Sequence, residues 1–398
     1  VPGLGHRKPG DLDKGVELQP LRSWERAIRR RVDKGLLPGY CSCVIQRGAV
    51  IHADAYGYAD LEQKRPYDAR TILRLYCLTK PVIGVAVLIL KERGLLSLHD
   101  PISKYLPKFD RQGVVSRGNA VFKKVRMSAE RKRDVTILRL LTHTAGLGYG
   151  PDFGFAPNSP SQAAFHGLTE DVQHGRVSSL AAFCDRIADL PLRSEPGKAY
   201  SYSYGLDVLG RVVEVVSGMQ LDRFLELEIF QPLGMKDTGF SVPRHKLNRL
   251  AALYVGQARA EALGEGPRPL PRRSGALVRV DGRRPAESRW AKGNSSPVLS
   301  GGGLMGHNMG GLVSTLADQA RFVAMLLGRG RLGRRRILKE ATVERYCLED
   351  LLTQAVPRRQ FQGGKYFGWN ALGEIGLRRT GRETRGPDDF EEGEVGMG

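Results

Sequence analysis

A short apolar helix beside a cysteine and a lysine constrains the fold of this chain more than any other stretch. Residues 82–90, VIGVAVLIL, contain no polar side chain and end at Lys91. Such a segment is typical of a helix buried on every side, and it is too short to span a bilayer. Pro81 fits the first turn, where a backbone N–H has no intrahelical acceptor. A helix that begins near Cys77 places this thiol and Lys80 on one face.

The spacing of Cys77 and Lys80 makes them candidates for chemistry. A nucleophile followed three residues later by lysine, at the start of a buried helix, also occurs as S-x-x-K in penicillin-binding proteins and β-lactamases. Taken alone, the tetrapeptide has little specificity, because a cysteine that enters an apolar helix is commonly just a small buried side chain. Further motifs are needed to decide between the two interpretations.

Several longer strings supply that context. They are TILRLYCLTKPV at 71–82, LSLHDPISKYLPKF at 96–109, LLTHTAGL at 140–147, YSYSYGLDVLG at 200–210 and IFQPLGMKDTGF at 229–240. In sequence and order these strings resemble the class C β-lactamase-like family, which includes the family VIII esterases. The resemblance covers residues 18–398 and is interrupted by insertions.

The resemblance implies a role for each residue that matches a family motif. Cys77 stands where the family has its nucleophilic serine, Lys80 is the motif lysine, and Tyr202 is the catalytic tyrosine that moves protons. Tyr204 replaces an asparagine of the family, and it is a substrate-binding candidate at a site that favours esters over lactams. His143 is expected to belong to a turn, since the family gives the proton transfer to lysine and tyrosine.

The end of the chain resembles one wall of the family's site. Gly396, Met397 and Gly398 match the beginning of the strand that bears Lys-Thr-Gly or an equivalent, and they are further substrate-binding candidates. The chain stops at this point, so the C-terminal strands of the fold are predicted to be missing.

The implied fold is a β-lactamase-like α/β (α+β) fold, an antiparallel sheet flanked by helices plus an all-helical domain. A helix over 18–34 and a hairpin around Arg47 and Gly48 open it. The predicted boundaries are a disordered segment 1–17, an α/β part 18–66 and 316–398, and a helical part 67–315 with loop insertions near 112–134, 151–175 and 256–300. A glycine-rich stretch at 301–311, whose role the sequence does not reveal, precedes a helix start at Thr315.

Composition limits the partners and the compartment. Sixty-two Lys and Arg against 42 Asp and Glu give a net charge of +20, but no aromatic residues interleave the basic runs, so we predict a solvated surface and no nucleic-acid partner. The 5 cysteines are too scattered for a disulfide framework, which favours a reducing compartment. No signal peptide, membrane span, metal motif or nucleotide motif is evident, and no cofactor is expected. Oligomeric state and final localisation are not specified by the sequence.

Two functions follow from these observations. The first is a hydrolase or acyl-transferase that acts on small esters, thioesters or amides through a covalent acyl-enzyme on Cys77. A lysine and a helix N-terminus both favour the thiolate form of a cysteine. The second is a catalytically inactive relative that binds an acyl or peptide ligand, or a protein partner, in the cleft where the first would react. The presence of both Lys80 and Tyr202 favours the first.

Overall fold

The computed structural model describes most of the chain, in ten ranges of residues. These are 5–6, 18–115, 127–149, 160–256, 277–282, 291–292, 298–302, 311–352, 367–376 and 395–396. The chain divides into two compact units, each built from separate parts of the sequence. Unit 1 contains Val1–Arg74, Phe230–Ser295 and Val313–Arg335, and unit 2 contains Leu75–Ile229, Ser296–Leu312 and Arg336–Gly398. The domain boundaries drawn from the sequence stay a prediction.

The described ranges contain both helices and strands, which confirms the predicted mixed α/β class. The helices are α1 (Leu18–Asp33), α2 (Thr79–Glu92), α3 (Ile137–Leu141), α4 (Pro160–Gln173), α5 (Leu180–Ala188), α6 (Gly205–Ser217), α7 (Leu221–Leu225), α8 (Gln231–Leu233), α9 (Leu316–Leu327) and α10 (Glu340–Val343). The strands are β1 (Gly5–His6), β2 (Gly39–Gln46), β3 (Ala49–Asp60), β4 (Arg65–Pro66), β5 (Ile72–Arg74), β6 (Val114–Val115), β7 (Met127–Ala129), β8 (Tyr254–Gly256), β9 (Leu277–Arg279), β10 (Val313–Thr315), β11 (Arg331–Leu332), β12 (Arg335–Arg336), β13 (Phe367–Trp369), β14 (Glu374–Gly376) and β15 (Val395–Gly396).

Unit 1 is organised around the predicted hairpin. Strands β2 and β3 pair antiparallel from Gly39 opposite Gly57 to Gln46 opposite Ala49, with a bulge after Val44. The two turn residues, Arg47 and Gly48, have φ angles of 49° and 74°. Positive φ at both central residues matches the twist of the flanking strands. The hairpin prediction is therefore confirmed.

Helices α1 and α9 cover opposite faces of this hairpin. On one face the Trp24 ring of α1 lies 5.5 Å from that of Tyr40. On the other face Val50 packs with Ala320 and Ala324 of α9. Alternate residues of a strand point to opposite faces, so each strand contributes to both helix contacts. The Thr315 hydroxyl caps α9 by accepting a hydrogen bond from the backbone of Asp318, as predicted.

Unit 2 is organised around α2, whose apolar stretch is buried as predicted. The residues from Val82 to Leu90 are almost all fully buried, and α2 packs against α6. Gly84 permits a close approach, because a Cβ atom there would lie 1.9 Å from the backbone oxygen of Ala371. The α-helix begins at Thr79, and Cys77 lies in a 3₁₀ turn, Tyr76–Leu78, that leads into it.

The prediction of a loop near 151–175 was wrong. Helix α4 occupies much of this range, since Phe165, Leu168 and Val172 recur at helical spacing and are buried. Before it, helix α3 ends at Leu141, and the chain adopts a positive φ of 54° at His143.

Short strands also occur where loop or disorder was expected. Strand β9 lies inside the predicted insertion 256–300 and pairs with β8. At the N-terminus Gly5 and His6 pair in parallel with β3, so disorder was the wrong prediction for these two. The other residues of 1–17 lie outside the described ranges. Among the residues described, no helix combines the length and apolar character that a membrane crossing requires.

The close packing of α2 generates a test with a matched control. Gly84→Ala should lower the stability of the protein by about 1–3 kcal/mol, since its Cβ overlaps the Ala371 carbonyl. Gly167→Ala, in α4, meets no atom within 4 Å and should be neutral or stabilising by up to about 1 kcal/mol. Thermal unfolding of both variants measures the difference. Equal melting temperatures would contradict the packing described.

Candidate active site

The turn that carries Cys77 is held by backbone and side-chain hydrogen bonds. The Leu75 N–H donates to the Leu312 carbonyl at 2.9 Å, and the Leu312 N–H donates to Thr79 Oγ1 at 3.0 Å. Between these anchors Tyr76 has a φ of 45°, an unfavourable angle for a residue with a side chain. The Cys77 side chain is only 3% exposed. The fold therefore holds the thiol in one orientation.

Tyr202 and Lys80 lie against this thiol. The Tyr202 hydroxyl is 3.0 Å from Cys77 Sγ, within hydrogen-bonding distance for sulfur. Lys80 Nζ lies 4.7 Å from the centre of the Tyr202 ring. The structure therefore brings together the three residues that the sequence predicted as catalytic, all within unit 2.

Burial sets the protonation of both partners. It lowers the pKa of Lys80, which is 1% exposed, although the nearby Cys77 and Asp207 oppose the shift. Burial also raises the pKa of Tyr202, and Cys77 adds to the increase. Near neutral pH the tyrosine is thus a phenol that can donate a proton, and the amine loses its proton more readily than an exposed lysine does.

His143 positions the loop that carries Tyr202. Its Nδ1 accepts a hydrogen bond from the Ser203 backbone at 3.1 Å, and its ring lies 4.6 Å from that of Tyr202. The Trp369 ring lies 5.0 Å from the imidazole, and Trp369 Nε1 donates to the Leu141 carbonyl at 3.0 Å. Burial lowers the pKa of His143 well below its usual value. The imidazole is therefore neutral, with its proton on Nε2, and its predicted place in a turn is confirmed.

Asp207 and Gly302 complete the site, and sequence reasoning missed both as functional residues. Lys80 Nζ donates to the Gly302 carbonyl. Asp207 Oδ1 accepts from the Gly302 N–H at 3.0 Å and from the Ser300 hydroxyl. Burial raises the pKa of Asp207, against the effect of these hydrogen bonds and of Lys80. A single acidic residue within the apolar run GLDVLG was the available signal.

The remaining predicted site residues are placed elsewhere or lie outside the described ranges. Tyr204 is 1% exposed, and its hydroxyl pairs with Thr169 inside an aromatic core, so the structure does not support its predicted substrate contact. Gly396 lies in β15 and pairs with Glu374. Met397 and Gly398 lie outside the described residues.

The arrangement is suited to nucleophilic chemistry. A thiol, a phenol and an amine of lowered pKa lie side by side, which provides a nucleophile and two groups that move protons. In the part of the chain that the structure describes, no cluster of three or more His, Cys, Asp or Glu side chains could hold a metal ion.

Comparison with known proteins identifies similar chains. Residues 24–373 match the family model described as Beta-lactamase. Esterase EstB from Burkholderia gladioli is 33% identical over 307 residues, which is 75% of this chain and 72% of the esterase. Protein Rv1367c from Mycobacterium tuberculosis is 31% identical over 351 residues, which is 87% of this chain and 77% of that protein.

Solved structures are similar over most of their length. EstCE1, described as a hydrolase with promiscuous acyltransferase activity, has a TM-score of 0.66 and 26% identity, and the match covers 90% of this chain and 84% of that one. Unliganded simvastatin synthase from Aspergillus terreus has a TM-score of 0.62 and 22% identity over 90% of this chain and 83% of that one, a likeness of fold alone.

The neutral state of His143 predicts how stability depends on pH. Its folded pKa lies below the ordinary 6.5, so below about pH 6.5 the unfolded chain binds one proton more than the folded chain. This residue should therefore reduce the free energy of unfolding by up to about 1.4 kcal/mol per pH unit as the pH falls.

In the variant His143→Asn, the free energy of unfolding should depend less steeply on pH, because this contribution of the imidazole is gone. Asparagine tolerates a positive φ and can place an acceptor near the position of Nδ1, so the turn should persist. Urea unfolding between pH 5 and 7.5 measures the slope, with His99→Asn, at an exposed position, as the control. An unchanged slope in His143→Asn would contradict a neutral, buried imidazole.

Proposed function

This chain belongs to the beta-lactamase family, and we propose that it is a hydrolase or acyl-transferase that forms a covalent acyl-enzyme on Cys77. Its substrates in this proposal are small esters, thioesters or amides. The observation that carries the proposal is the 3.0 Å contact between Cys77 Sγ and the Tyr202 hydroxyl, with Lys80 beside both. Serine is the usual nucleophile of the motif, and here a thiol takes that place.

The proposed first half-reaction transfers the acyl group to sulfur. Lys80, as the free amine, takes the thiol proton, and Cys77 Sγ attacks the carbonyl carbon of the substrate. The new C–S bond forms, the bond to the leaving oxygen, sulfur or nitrogen breaks, and Tyr202 gives its proton to the leaving atom. The Lys80 ammonium then returns a proton to Tyr202, so the charges balance and a thioester remains.

The second half-reaction releases the acyl group. Water, an alcohol or an amine attacks the thioester, and the Lys80 amine takes the attacker's proton through Tyr202. The C–S bond breaks, and the thiol is regenerated with that proton. Attack by water is hydrolysis, and attack by another acceptor is acyl transfer.

The named relatives support both outcomes. EstB is an esterase, and EstCE1 is a hydrolase that also has acyltransferase activity. The pKa directions support the proton steps, since burial lowers the pKa of Lys80 and raises that of Tyr202. A buried amine that is readily deprotonated is a suitable base, and a protonated phenol is a suitable donor.

The burial of Cys77, which is 3% exposed, favours an alternative in which the protein binds its ligand without catalysis. A thiol is larger than a hydroxyl, and an error of about 1 Å in a site built for oxygen can cost roughly 10²-fold in rate. In this alternative the protein is an inactive relative that binds an acyl or peptide ligand, or a protein partner, without turning it over.

Selective acylation of Cys77 separates the two functions. On treatment with p-nitrophenyl butyrate, Cys77 should acquire the butyryl group faster than any other thiol, because only this cysteine has Lys80 and Tyr202 beside it among the described residues. Intact mass and peptide mapping measure the adduct, and Cys77→Ala should not form it. Burial raises the pKa of Cys41 to about 11 and that of Cys347 to about 12, so these serve as internal controls.

The variant Cys77→Ser tests whether geometry limits the reaction. It places a hydroxyl in the S-x-x-K pattern and should hydrolyse the same ester through an ester-linked intermediate. Equal labelling of all cysteines together with an inert Cys77→Ser would exclude the enzyme and favour the binding relative.

Removal of the Tyr202 hydroxyl should slow turnover strongly. Tyr202→Phe keeps the ring but not the proton, so kcat for p-nitrophenyl butyrate should fall by roughly 10²–10⁴-fold, with a much smaller change in KM. Tyr200→Phe, in the same loop, is the matched control and should change kcat by less than about fivefold. Steady-state kinetics measure both, and a similar small effect of the two substitutions would argue against proton transfer through Tyr202.

A further inference from the structure

Unit 2 buries an amine and a carboxylate near each other, and the proposed mechanism uses only the amine. Lys80 is 1% exposed and Asp207 is fully buried. Charged groups are costly to remove from water unless they are paired and hydrogen-bonded. The carboxylate is in the first turn of α6, directly after the loop that carries Tyr202.

We propose that Asp207 is the positioning residue of the site, which holds Lys80 through Gly302 and supplies the negative charge that balances this side chain when its amine is protonated. The proposal rests on the proposed function, because the task of Lys80 is defined there. It assigns a function to a carboxylate outside the nucleophile-x-x-lysine motif and to part of the glycine stretch that the sequence left unexplained.

The hydrogen bonds at Gly302 connect the two groups. The Gly302 N–H donates to Asp207 Oδ1 at 3.0 Å, and its carbonyl accepts from Lys80 Nζ. Asp207 thereby fixes the backbone that positions the amine. Ser300 donates a second hydrogen bond to the same carboxylate oxygen.

The close approach explains a glycine at 302. A Cβ atom there would lie 2.1 Å from Asp207 Oδ2, so the carboxylate occupies the space that a side chain would need. Asp207 Oδ2 is itself buried and has no hydrogen-bond partner within the described part of the chain. Its charge is therefore incompletely satisfied by hydrogen bonds and is available to interact with Lys80.

Within the described ranges, a small set of charged and titratable groups surrounds Lys80 and Asp207. Lys80 faces Cys77 from its own turn, Asp207 from α6, the Tyr202 ring from the loop before α6, and His143 from the turn after α3. Asp207 also influences Cys184 of α5, where Arg211 and Glu214 of α6 act as well, and it influences Tyr149. Burial lowers the pKa of Lys80, and Cys77 and Asp207 act in the opposite direction. Of these two groups, Asp207 is the carboxylate.

A double-mutant cycle tests the coupling without any need for activity. The variants are Asp207→Asn, Lys80→Met and the combination, compared by urea unfolding at pH 7. Asp207→Asn removes the charge that stabilises the protonated form of Lys80, and Lys80→Met leaves the buried Asp207 carboxylate without a counter-charge. The double variant should therefore be more stable than additivity predicts, by about tenfold or more in the unfolding equilibrium constant. If Asp207→Asn does not fold, the inference predicts that the double variant does fold. A double variant that also fails to fold would contradict it.

A matched control is available in unit 1. Asp318 is also a buried aspartate in the first turn of a helix, where it accepts hydrogen bonds from the Asp237 backbone and the Thr238 hydroxyl. Among the described residues, Asp237 and Arg321 are the charged groups that act on the pKa of its carboxyl. Asp318→Asn should destabilise the protein but combine additively with Lys80→Met.

The rate of Cys77 acylation gives a second readout that a merely structural role would not change. Loss of the negative charge should lower the pKa of Lys80, so the rise of the acylation rate with pH should have its midpoint about 1–3 pH units lower in Asp207→Asn. The midpoint in Asp318→Asn should equal that of the wild type. An additive cycle, or a midpoint that does not move, would overturn the inference. If wild-type Cys77 is not acylated at all, the proposed function fails, and the cycle alone decides the role of Asp207.

Discussion

The burial of the Lys80 amine is the constraint on which the site depends. An ammonium group removed from water loses several kcal/mol of solvation, and the protein recovers this only through partners with good hydrogen-bond and charge geometry. The Gly302 carbonyl and the face of the Tyr202 ring surround Nζ, and the Asp207 carboxylate lies close by. These partners come from distant parts of the sequence, so the amine holds together α2, α6 and the segment that contains Gly302.

The surrounding packing makes this environment rigid. Helix α2 is buried along its length, and Gly84 lets the Ala371 backbone approach it closely. A neutral His143 and the Trp369 indole pack against the Tyr202 loop. Because the side chains that fix the loop carry no net charge near neutral pH, the charge of the site is concentrated on Lys80 and Asp207. The protonation of one residue is therefore sensitive to that of the other.

The proposed nucleophile of this site is a thiol, and its neighbours determine which proton transfers can accompany its reaction. The phenol of Tyr202 is in contact with Cys77 Sγ, and burial keeps that phenol protonated, so it can serve the leaving group and the attacking acceptor in turn. The proposed thioester intermediate would be open to attack by water and by other acceptors, which agrees with the esterase and acyltransferase activities named among similar proteins. In this proposal the acceptor that reaches the thioester decides between hydrolysis and acyl transfer.

The sequence by itself determined the local features: the buried helix after Cys77, the Arg47-Gly48 hairpin, the Thr315 cap, and the grouping of a thiol, a lysine and a tyrosine by motif. These depend on periodicity and on short-range hydrogen bonds, which are visible along the chain. Helix α4 could have been predicted in the same way from its buried spacing. Only the tertiary structure showed that Tyr204 is a core residue and that Asp207 meets Gly302, 95 positions apart in the chain. Such contacts arise from packing between distant segments, and no local pattern encodes which buried polar groups will satisfy one another.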